Sequence, residues 1–255
     1  MKHDRSYKSQ WIKQEALKTG FDACGIASAE KLTNREQYFN EWLHKGYHAD
    51  MMYLENHREK RLNPRLLAEN AKSVIVVLLN YYPGDTLSSS YPQIAKYVYG
   101  RDYHKILKKK LKSLFQSINE AWGPIEGRFF VDSAPVMEKE WARRAGLGWI
   151  GKNNLLINPQ KGSYCFIGEI ICNLELPADK PIEEACGTCR KCLEACPTGA
   201  LIAPRKLDTR KCISYITVEH KGPLPETWKG KSLDVIFARM YAPGTLIPMR
   251  QTSRS

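Results

Sequence analysis

Five of the eight cysteines fall within one short stretch, and four of them have a fixed spacing. The stretch reads Cys186-Gly-Thr-Cys189-Arg-Lys-Cys192-Leu-Glu-Ala-Cys196-Pro197, which is C-x2-C-x2-C-x3-C-P. This is the bacterial ferredoxin spacing for a 4Fe–4S cluster, in which closely spaced thiolates wrap a loop around one cube. The alternative is a zinc site built from two C-x2-C pairs, but such sites rarely carry the fourth cysteine followed by proline. The spacing therefore favours iron–sulfur.

A fifth cysteine, Cys212, lies sixteen residues beyond Cys196. By itself it could be a buried core thiol. In two-cluster ferredoxins the fourth cysteine of the motif ligates the other cluster, so we expect Cys196 and Cys212 to share a second cluster. The other three cysteines are scattered, and without a secretion signal the crowding favours metal ligation over disulfides.

Composition sets the class of protein. The chain has 255 residues, 43% of them hydrophobic, and a formal net charge of +12. No apolar run is long enough to cross a bilayer, and the first ten residues lack an apolar signal core, so we expect a cytoplasmic protein without a membrane segment. The positive charge indicates either an anionic partner such as nucleic acid or a generally basic surface.

Strand and helix patterns alternate ahead of the cysteines and predict an α/β or α+β domain of about 170 residues. We expect helices over 4–19, 34–45, 102–122 and 135–145, and strands over 21–27, 73–79, 128–131 and 164–172. The run 73–79 is almost purely apolar and β-branched, which is typical of a strand covered on both faces. A ferredoxin alone needs far fewer residues, so this domain should use the electrons.

Further motifs give the chain a resemblance to the epoxyqueuosine reductase family over about residues 5–230. They occur in the family's order: Arg61-x-x-Pro64, Gly100-x-Asp-Tyr-His104, Val131-Asp-Ser133, Glu140-x-x-x-x-Ala-Gly-Leu-Gly-Trp-Ile-Gly-Lys-Asn153, Gly162-Ser-x-x-Phe166 and Cys212-Ile-Ser-Tyr-Ile-Thr217. The resemblance implies reduction of epoxyqueuosine at the tRNA wobble position to queuosine, with cobalamin and two 4Fe–4S clusters. It also implies a cobalamin-binding domain over 1–172, related to reductive dehalogenases, and a ferredoxin-like domain over 173–231.

The resemblance also implies roles for single residues. Asp132 matches the family's proposed proton donor, although an aspartate before a helix is commonly an N-cap. A donor needs a raised pKa, so we expect Asp132 to be buried near the cobalt. The residues carried over as cobalamin contacts are Arg61, Ala95, Asp132, Asn153, Leu156, Ile167 and Ser214. Arg61 could equally form a surface ion pair, and Leu156 and Ile167 could be plain core.

The expected partners are tRNA, faced by Met137 and Lys139, and an unidentified electron donor; a monomer is expected. Two other hypotheses remain open. An electron-carrier module would bind no cobalamin. A reductive dehalogenase-like enzyme would act on a small molecule and would not bind tRNA, whereas the positive charge favours tRNA.

The end of the chain departs from the family, which carries a second motif, C-x2-C-x3-C-P, about 25–30 residues after the position of Cys212. Here no cysteine follows Cys212. The stretch Leu233-Asp-Val-Ile-Phe-Ala-Arg-Met-Tyr-Ala-Pro-Gly-Thr245 can be encoded so that a frame two bases later reads G-C-D-I-C-Q-D-V-C-P-W-N. We interpret 232–255 as an aberrant tail after a frameshift; the alternative is a divergent natural tail. As written, the chain should hold at most one labile cluster.

Overall fold

The computed structural model describes residues 4–84, 95–223 and Trp228. Its centre is a four-stranded sheet in the order β1-β2-β6-β3, and every neighbouring pair is antiparallel. The sheet strands are β1 (Ala23–Ser28), β2 (Ser73–Asn80), β3 (Gly127–Phe130) and β6 (Cys165–Cys172). Antiparallel pairing decides between the two predicted classes, because an α/β fold is built on a mostly parallel sheet. The domain is α+β.

Strand β2 is apolar on both sides, as its composition predicted. Because successive side chains of a strand point to opposite faces, Val74, Val76 and Leu78 enter one hydrophobic cluster. Ile75 and Val77 enter another cluster on the opposite face. The central strand therefore separates two cores, and helices cover both faces of the sheet.

Helices α1 (Arg5–Lys18) and α5 (Tyr103–Trp122) pack on one face of the sheet. Helix α5 buries the stripe Leu107, Leu111, Leu114 and Ile118, which recurs at helical spacing. Asp102 caps its first turn by accepting a hydrogen bond from the His104 N–H at 3.0 Å. This cap fixes the start of α5 at the end of the sheet where Asp132 follows β3.

The opposite face carries shorter helices, which are α2 (Thr33–His44), α3 (Tyr53–Asn56), α4 (Arg58–Leu62) and α6 (Glu138–Arg144). Helix α4 ends just before Asn63, whose extended backbone precedes Pro64, as expected for a residue before proline. The helix expected over 135–145 begins only at Glu138. Residues 131–137 are therefore a loop between β3 and α6.

The remaining elements lie beyond α6. They are the hairpin of β4 (Trp149–Ile150) and β5 (Leu156–Ile157), the short helix α7 (Lys191–Glu194), the hairpin of β7 (Leu201–Ala203) and β8 (Lys206–Leu207), and a π-helix over Tyr215–Glu219. The β7–β8 hairpin contacts α2, because the Trp42 indole N–H donates to the Leu207 carbonyl at 2.7 Å. In the described ranges, no helix has both the length and the apolar character required to cross a membrane. The tail 232–255 lies outside the described residues.

Candidate active site and cluster loop

Asp132 lies on the loop between β3 and α6, and its side chain is 57% exposed. The expected burial of Asp132 is therefore wrong. Its φ of +56° lies in the left-handed region, which non-glycine residues seldom adopt. The capping alternative is also not realised, because Met137 occupies the N-cap position of α6 and no side chain caps that helix. Asp132 is an exposed carboxylate on a strained loop.

Two side chains from the first turn of α5 meet the Asp132 carboxylate. The Tyr103 hydroxyl donates to Oδ2 at 2.6 Å, and Nε2 of His104 lies 3.2 Å from the same oxygen. Burial, followed by the hydrogen bond to Asp132, raises the pKa of Tyr103. Tyr103 therefore stays protonated and remains a donor. Neither residue was predicted as a site residue, although both stand in the Gly100-x-Asp-Tyr-His104 motif.

Ring stacking fixes this pair against the sheet. The Tyr103 ring lies parallel to Phe166 of β6, with a centroid distance of 4.0 Å and an interplanar angle of 4°. The His104 ring stacks on Tyr103 at 3.9 Å, and its Nδ1 lies 3.0 Å from Oδ1 of Asp102. Phe166 belongs to another motif of the sequence, Gly162-Ser-x-x-Phe166. The fold therefore brings two other motifs to the motif that contains Asp132.

Two further carboxyls lie beneath the Asp132 loop. Oε1 of Glu138 accepts a hydrogen bond from the Asp132 backbone N–H at 2.6 Å. Burial and the Asp132 charge raise the pKa of Glu138 to about 7. Glu169 of β6 is fully buried, and among the described residues neither of its carboxyl oxygens has a hydrogen-bond partner. Burial, and then the charges of Glu138 and Asp132, raise the pKa of Glu169 well above its usual range.

Arg61, the first of the predicted cobalamin contacts, lies at the end of α4 and is half-buried. Within the described ranges its Nε is buried without a hydrogen-bond partner. Its guanidinium lies 5.7 Å from the centre of the Tyr53 ring, and burial lowers the pKa of the Arg61 side chain. Since buried donors are nearly always satisfied, this arginine is available for an acceptor such as a cofactor amide or phosphate.

The other carried-over cobalamin residues occupy different surroundings. Leu156 of β5 and Ile167 of β6 lie in the same core cluster, in agreement with the plain-core alternative. Asn153 turns the β4–β5 hairpin and accepts a hydrogen bond from the Leu155 N–H at 3.2 Å. Ala95 directly precedes a 3-10 turn. Residues 85–94, which come before it in the chain, lie outside the described residues. Ser214 is exposed just before the π-helix.

The two tRNA-facing candidates flank Glu138 in the chain. The side chain of Met137 is half-buried and packs against the core beneath the loop. Lys139 is exposed, and its ammonium donates to the Asn154 carbonyl at 3.0 Å. Of these two candidates, Lys139 is the one that presents a charge to solvent.

The cysteine motif forms a partly exposed loop beside the β4–β5 hairpin. The Lys152 ammonium donates to the carbonyls of Gly187 and Cys189 at 2.6 and 2.8 Å, which ties the loop to the β4–β5 hairpin. Burial and the charges of Cys186 and Cys189 raise the pKa of Cys192, so these three thiols act on one another. Within the described residues, however, no three acidic, histidine or cysteine side chains converge as a metal site.

Cys196 has a different environment. Burial acts to raise its pKa, but the backbone N–H groups of Leu201, Thr198 and Ala200 outweigh this effect and lower the pKa of the thiol. Its sulfur lies 3.8 Å from the Thr198 hydroxyl, which donates to the Lys211 carbonyl at 2.6 Å. This turn connects Cys196 to the residue before Cys212. Thiolates with N–H donors aimed at sulfur are a donor set that fits iron–sulfur ligation.

Comparison with protein families gives two matches. The family model described as "Epoxyqueuosine reductase QueG, DUF1730" matches residues 61–133, and the model described as "4Fe-4S double cluster binding domain" matches residues 185–238. The epoxyqueuosine reductase of Leadbetterella byssophila is 51% identical over 233 residues, which are 91% of this chain and 76% of that protein.

Solved structures give the same relationship. An epoxyqueuosine reductase with an epoxyqueuosine-modified tRNA stem loop superposes with a TM-score of 0.80 and 31% identity, over 90% of this chain and 62% of that one. The Bacillus subtilis epoxyqueuosine reductase, with its catalytic aspartate loop swung out of the active site, superposes with a TM-score of 0.83 and 28% identity. The match covers 95% of this chain and 66% of that one. A reductive dehalogenase shares the fold alone, at 16% identity, a TM-score of 0.53, and 96% of this chain against 35% of that one.

Proposed function

The chain belongs to the epoxyqueuosine reductase family, and from this premise we propose that it reduces epoxyqueuosine to queuosine at the wobble position of tRNA. It spans 76% of the Leadbetterella byssophila relative but only 62–66% of the solved structures, so the activity, substrate and partners are proposals for this chain. Conversion of an epoxide to an alkene releases the oxygen as water. That change consumes two electrons and two protons.

The contact of Tyr103 and His104 with Asp132 is the observation that supports Asp132 as the proton donor. An exposed carboxyl that is held by two hydrogen-bonding partners can approach a substrate and still keep a defined position. We propose that Asp132 protonates the departing epoxide oxygen. The Bacillus subtilis structure, with its catalytic aspartate loop swung out, supports a mobile loop of this kind, and the Asp132 loop would be its counterpart here.

We propose cobalamin as the cofactor, in contact with Arg61, Ala95, Asp132, Asn153, Leu156, Ile167 and Ser214. The buried, unpartnered Nε of Arg61 supports this assignment, because it needs an acceptor that the described residues do not supply. When bound, cobalamin would supply a strongly reducing cobalt for opening the epoxide. The protein's own part is to position the substrate epoxide between that cofactor and the Asp132 carboxyl.

For electron supply, we propose that Cys186, Cys189 and Cys192 belong to the site of one 4Fe–4S cluster and that Cys196 and Cys212 belong to the site of a second, with at most one labile cluster held by the chain as written. The 4Fe–4S double cluster match over residues 185–238 supports two clusters. Neither set is complete in this chain, because no cysteine follows Cys212. The proposed division keeps the cobalamin domain at 1–172 and the ferredoxin-like domain at 173–231.

The proposed partner is a tRNA that carries epoxyqueuosine in its anticodon loop, with Met137 and Lys139 facing it. The net charge of +12 supports this, since phosphate contacts dominate nucleic-acid affinity. Binding should therefore weaken steeply as salt concentration rises. Because the substrate is tRNA, we also propose a cytoplasmic location; the monomeric state stays a prediction.

The experiment is anaerobic reconstitution with iron, sulfide and cobalamin, followed by assay on epoxyqueuosine-containing tRNA. A chemical low-potential reductant replaces the unidentified electron donor. We expect queuosine in the tRNA and stoichiometric cobalamin. Cobalamin binding without queuosine formation would contradict the proposed reaction.

The same preparation also tests the two alternative functions, an electron carrier and a small-molecule reductase. Absence of cobalamin with an intact cluster would favour an electron carrier. Bound cobalamin without tRNA affinity would favour a small-molecule reductase. A protein that contains zinc and no acid-labile sulfide would exclude the epoxyqueuosine reductase, the electron carrier and the small-molecule reductase.

A further inference from the structure

The hydrogen bond between the Asp132 N–H and Glu138 Oε1 joins the proposed proton donor to a residue of α6. The two atoms lie 2.6 Å apart, and such a bond is stronger when the carboxyl acceptor is ionised. We propose that Glu138 is a positioning residue that holds the Asp132 loop in the conformation in which the carboxylate contacts Tyr103 and His104, and that it acts through its charge. This inference rests on the proposed function, because it assumes that Asp132 is the group that reacts.

The backbone of the loop shows why a tether is needed. Asp132 has a φ of +56°, which is strained for a residue with a side chain and persists only where the surroundings enforce it. The side chains of Tyr103 and His104 hold the carboxylate of Asp132. Glu138 holds its backbone. If the N–H bond weakens, the loop can relax and withdraw the carboxylate from Tyr103.

Glu138, the acceptor of this hydrogen bond, lies on an element that is more firmly packed than the Asp132 loop. Glu138 is the first residue of α6, and the neighbouring residues of that helix, Glu140 to Ala142, are buried. A helix packed on the core moves less than an exposed loop. Glu138 therefore ties an exposed loop to a helix that is packed on the core.

The charge of Glu138 depends on its surroundings. The groups that act on it are Asp132 on the loop, Glu169 on β6, Tyr103 on α5, Lys139 beside it and Arg61 on α4. Full burial without a hydrogen-bond partner among the described residues raises the pKa of Glu169 and favours its neutral form. Glu138, with a pKa of about 7, gains its charge as the pH rises through that value, and the tether strengthens.

The decisive variant is Glu138→Gln, because glutamine keeps an oxygen acceptor of similar reach and lacks the charge. We expect kcat to fall about fivefold to tenfold above pH 8, with KM for tRNA unchanged, since charged hydrogen bonds are roughly twice as strong as neutral ones. Below pH 6 the wild type and the variant should converge. The wild-type to variant ratio should therefore rise with pH through about 7.

A spectroscopic arm needs neither cofactor nor turnover. In protein labelled with nitrogen-15 at aspartate, we expect the Asp132 amide signal to titrate with a midpoint near pH 7 and to move downfield as Glu138 ionises. The titration should vanish in Glu138→Gln. Glu120→Gln, an exposed glutamate of α5, is the matched control and should behave as the wild type.

The outcomes separate the two proposals. A flat Asp132 amide signal between pH 5 and 9 overturns the tether, and so does Glu138→Gln with wild-type kcat at every pH. A normal amide titration in wild-type protein that forms no queuosine refutes the proposed function and leaves the tether standing. Circular dichroism of each variant excludes misfolding as the cause of a lost signal.

Discussion

The Tyr103 hydroxyl donates a 2.6 Å hydrogen bond to Oδ2 of Asp132 while the Tyr103 ring stacks flat on Phe166 at 4.0 Å. The stack restrains the ring, so the position of the hydroxyl is set by the sheet rather than by the loop. A carboxylate on an exposed loop thereby acquires one fixed partner. This contact links a helix start, a strand and a loop that are far apart in the chain.

Replacement of Tyr103 by phenylalanine should preserve the stack and remove the hydrogen bond. We expect kcat for tRNA reduction to fall about tenfold, because a hydrogen bond to a charged group contributes about 1.5–3 kcal/mol and His104 retains part of the positioning. The unfolding free energy should change by less than about 1 kcal/mol, since the Asp132 carboxylate is largely exposed. Steady-state kinetics and urea unfolding measure the two effects.

Tyr7→Phe is the control for Tyr103→Phe, because Tyr7 lies on α1 and is 50% exposed. It should leave kcat unchanged. A Tyr103→Phe enzyme with wild-type kcat would show that the hydroxyl does not position Asp132.

Asp132→Asn should abolish queuosine formation, because asparagine keeps the shape but cannot give up a proton at neutral pH. Cobalamin content and tRNA affinity should stay within about twofold of wild type, since asparagine keeps the size and shape of this exposed side chain. Ser133→Ala changes the next exposed residue of the loop and should remain active. Full turnover by Asp132→Asn would remove this residue from the mechanism.

The buried carboxyls should make the protein less stable as the pH rises. Glu138, with a folded pKa of about 7, and Glu169, with a pKa raised well above its usual range, hold protons in the folded state that the unfolded chain releases near pH 4.5. Above that pH the folded state binds more protons, so each group lowers the unfolding free energy by up to about 1.4 kcal/mol per pH unit until its folded pKa is reached.

The variant Glu169→Gln tests whether the raised pKa of Glu169 lowers the unfolding free energy as the pH rises. The variant should lose one titrating group, so its unfolding free energy should decline less steeply between pH 5 and 7 than that of the wild type. Carboxyls with lowered pKa, such as Glu140, act in the opposite direction but cancel in the comparison. Urea unfolding at several pH values gives both slopes, and identical slopes would mean that Glu169 is ionised when folded.

Lys152→Gln should loosen the cysteine loop, because the ammonium bridges the carbonyls of Gly187 and Cys189. We expect the reconstituted cluster to lose its visible absorption several times faster on exposure to air or a chelator. Lys206→Gln, at an exposed lysine of β8, is the matched control. Equal loss rates in the wild type and Lys152→Gln would show that this bridge does not protect the loop.

Local patterns were sufficient for the regular elements that supply the core. The apolar run of β2 and the apolar stripe of α5 each predicted their element, because burial follows from composition and period alone. The helix at 135–145 was predicted too long, since nothing local shows that the chain remains a loop until Glu138. The cysteine spacing identified the iron–sulfur class without any fold, because the ligands lie within one loop.

The sequence by itself determined the family and the central strand covered on both faces, and it singled out Asp132 as a candidate proton donor. Only the tertiary structure decided that Asp132 is exposed rather than buried, and that Glu138 and Glu169 are carboxyls with raised pKa values. The physical reason is that exposure and pKa depend on which distant segments pack around a side chain. Tyr103 reaches Asp132 across 29 positions of the chain, and no local pattern encodes that contact.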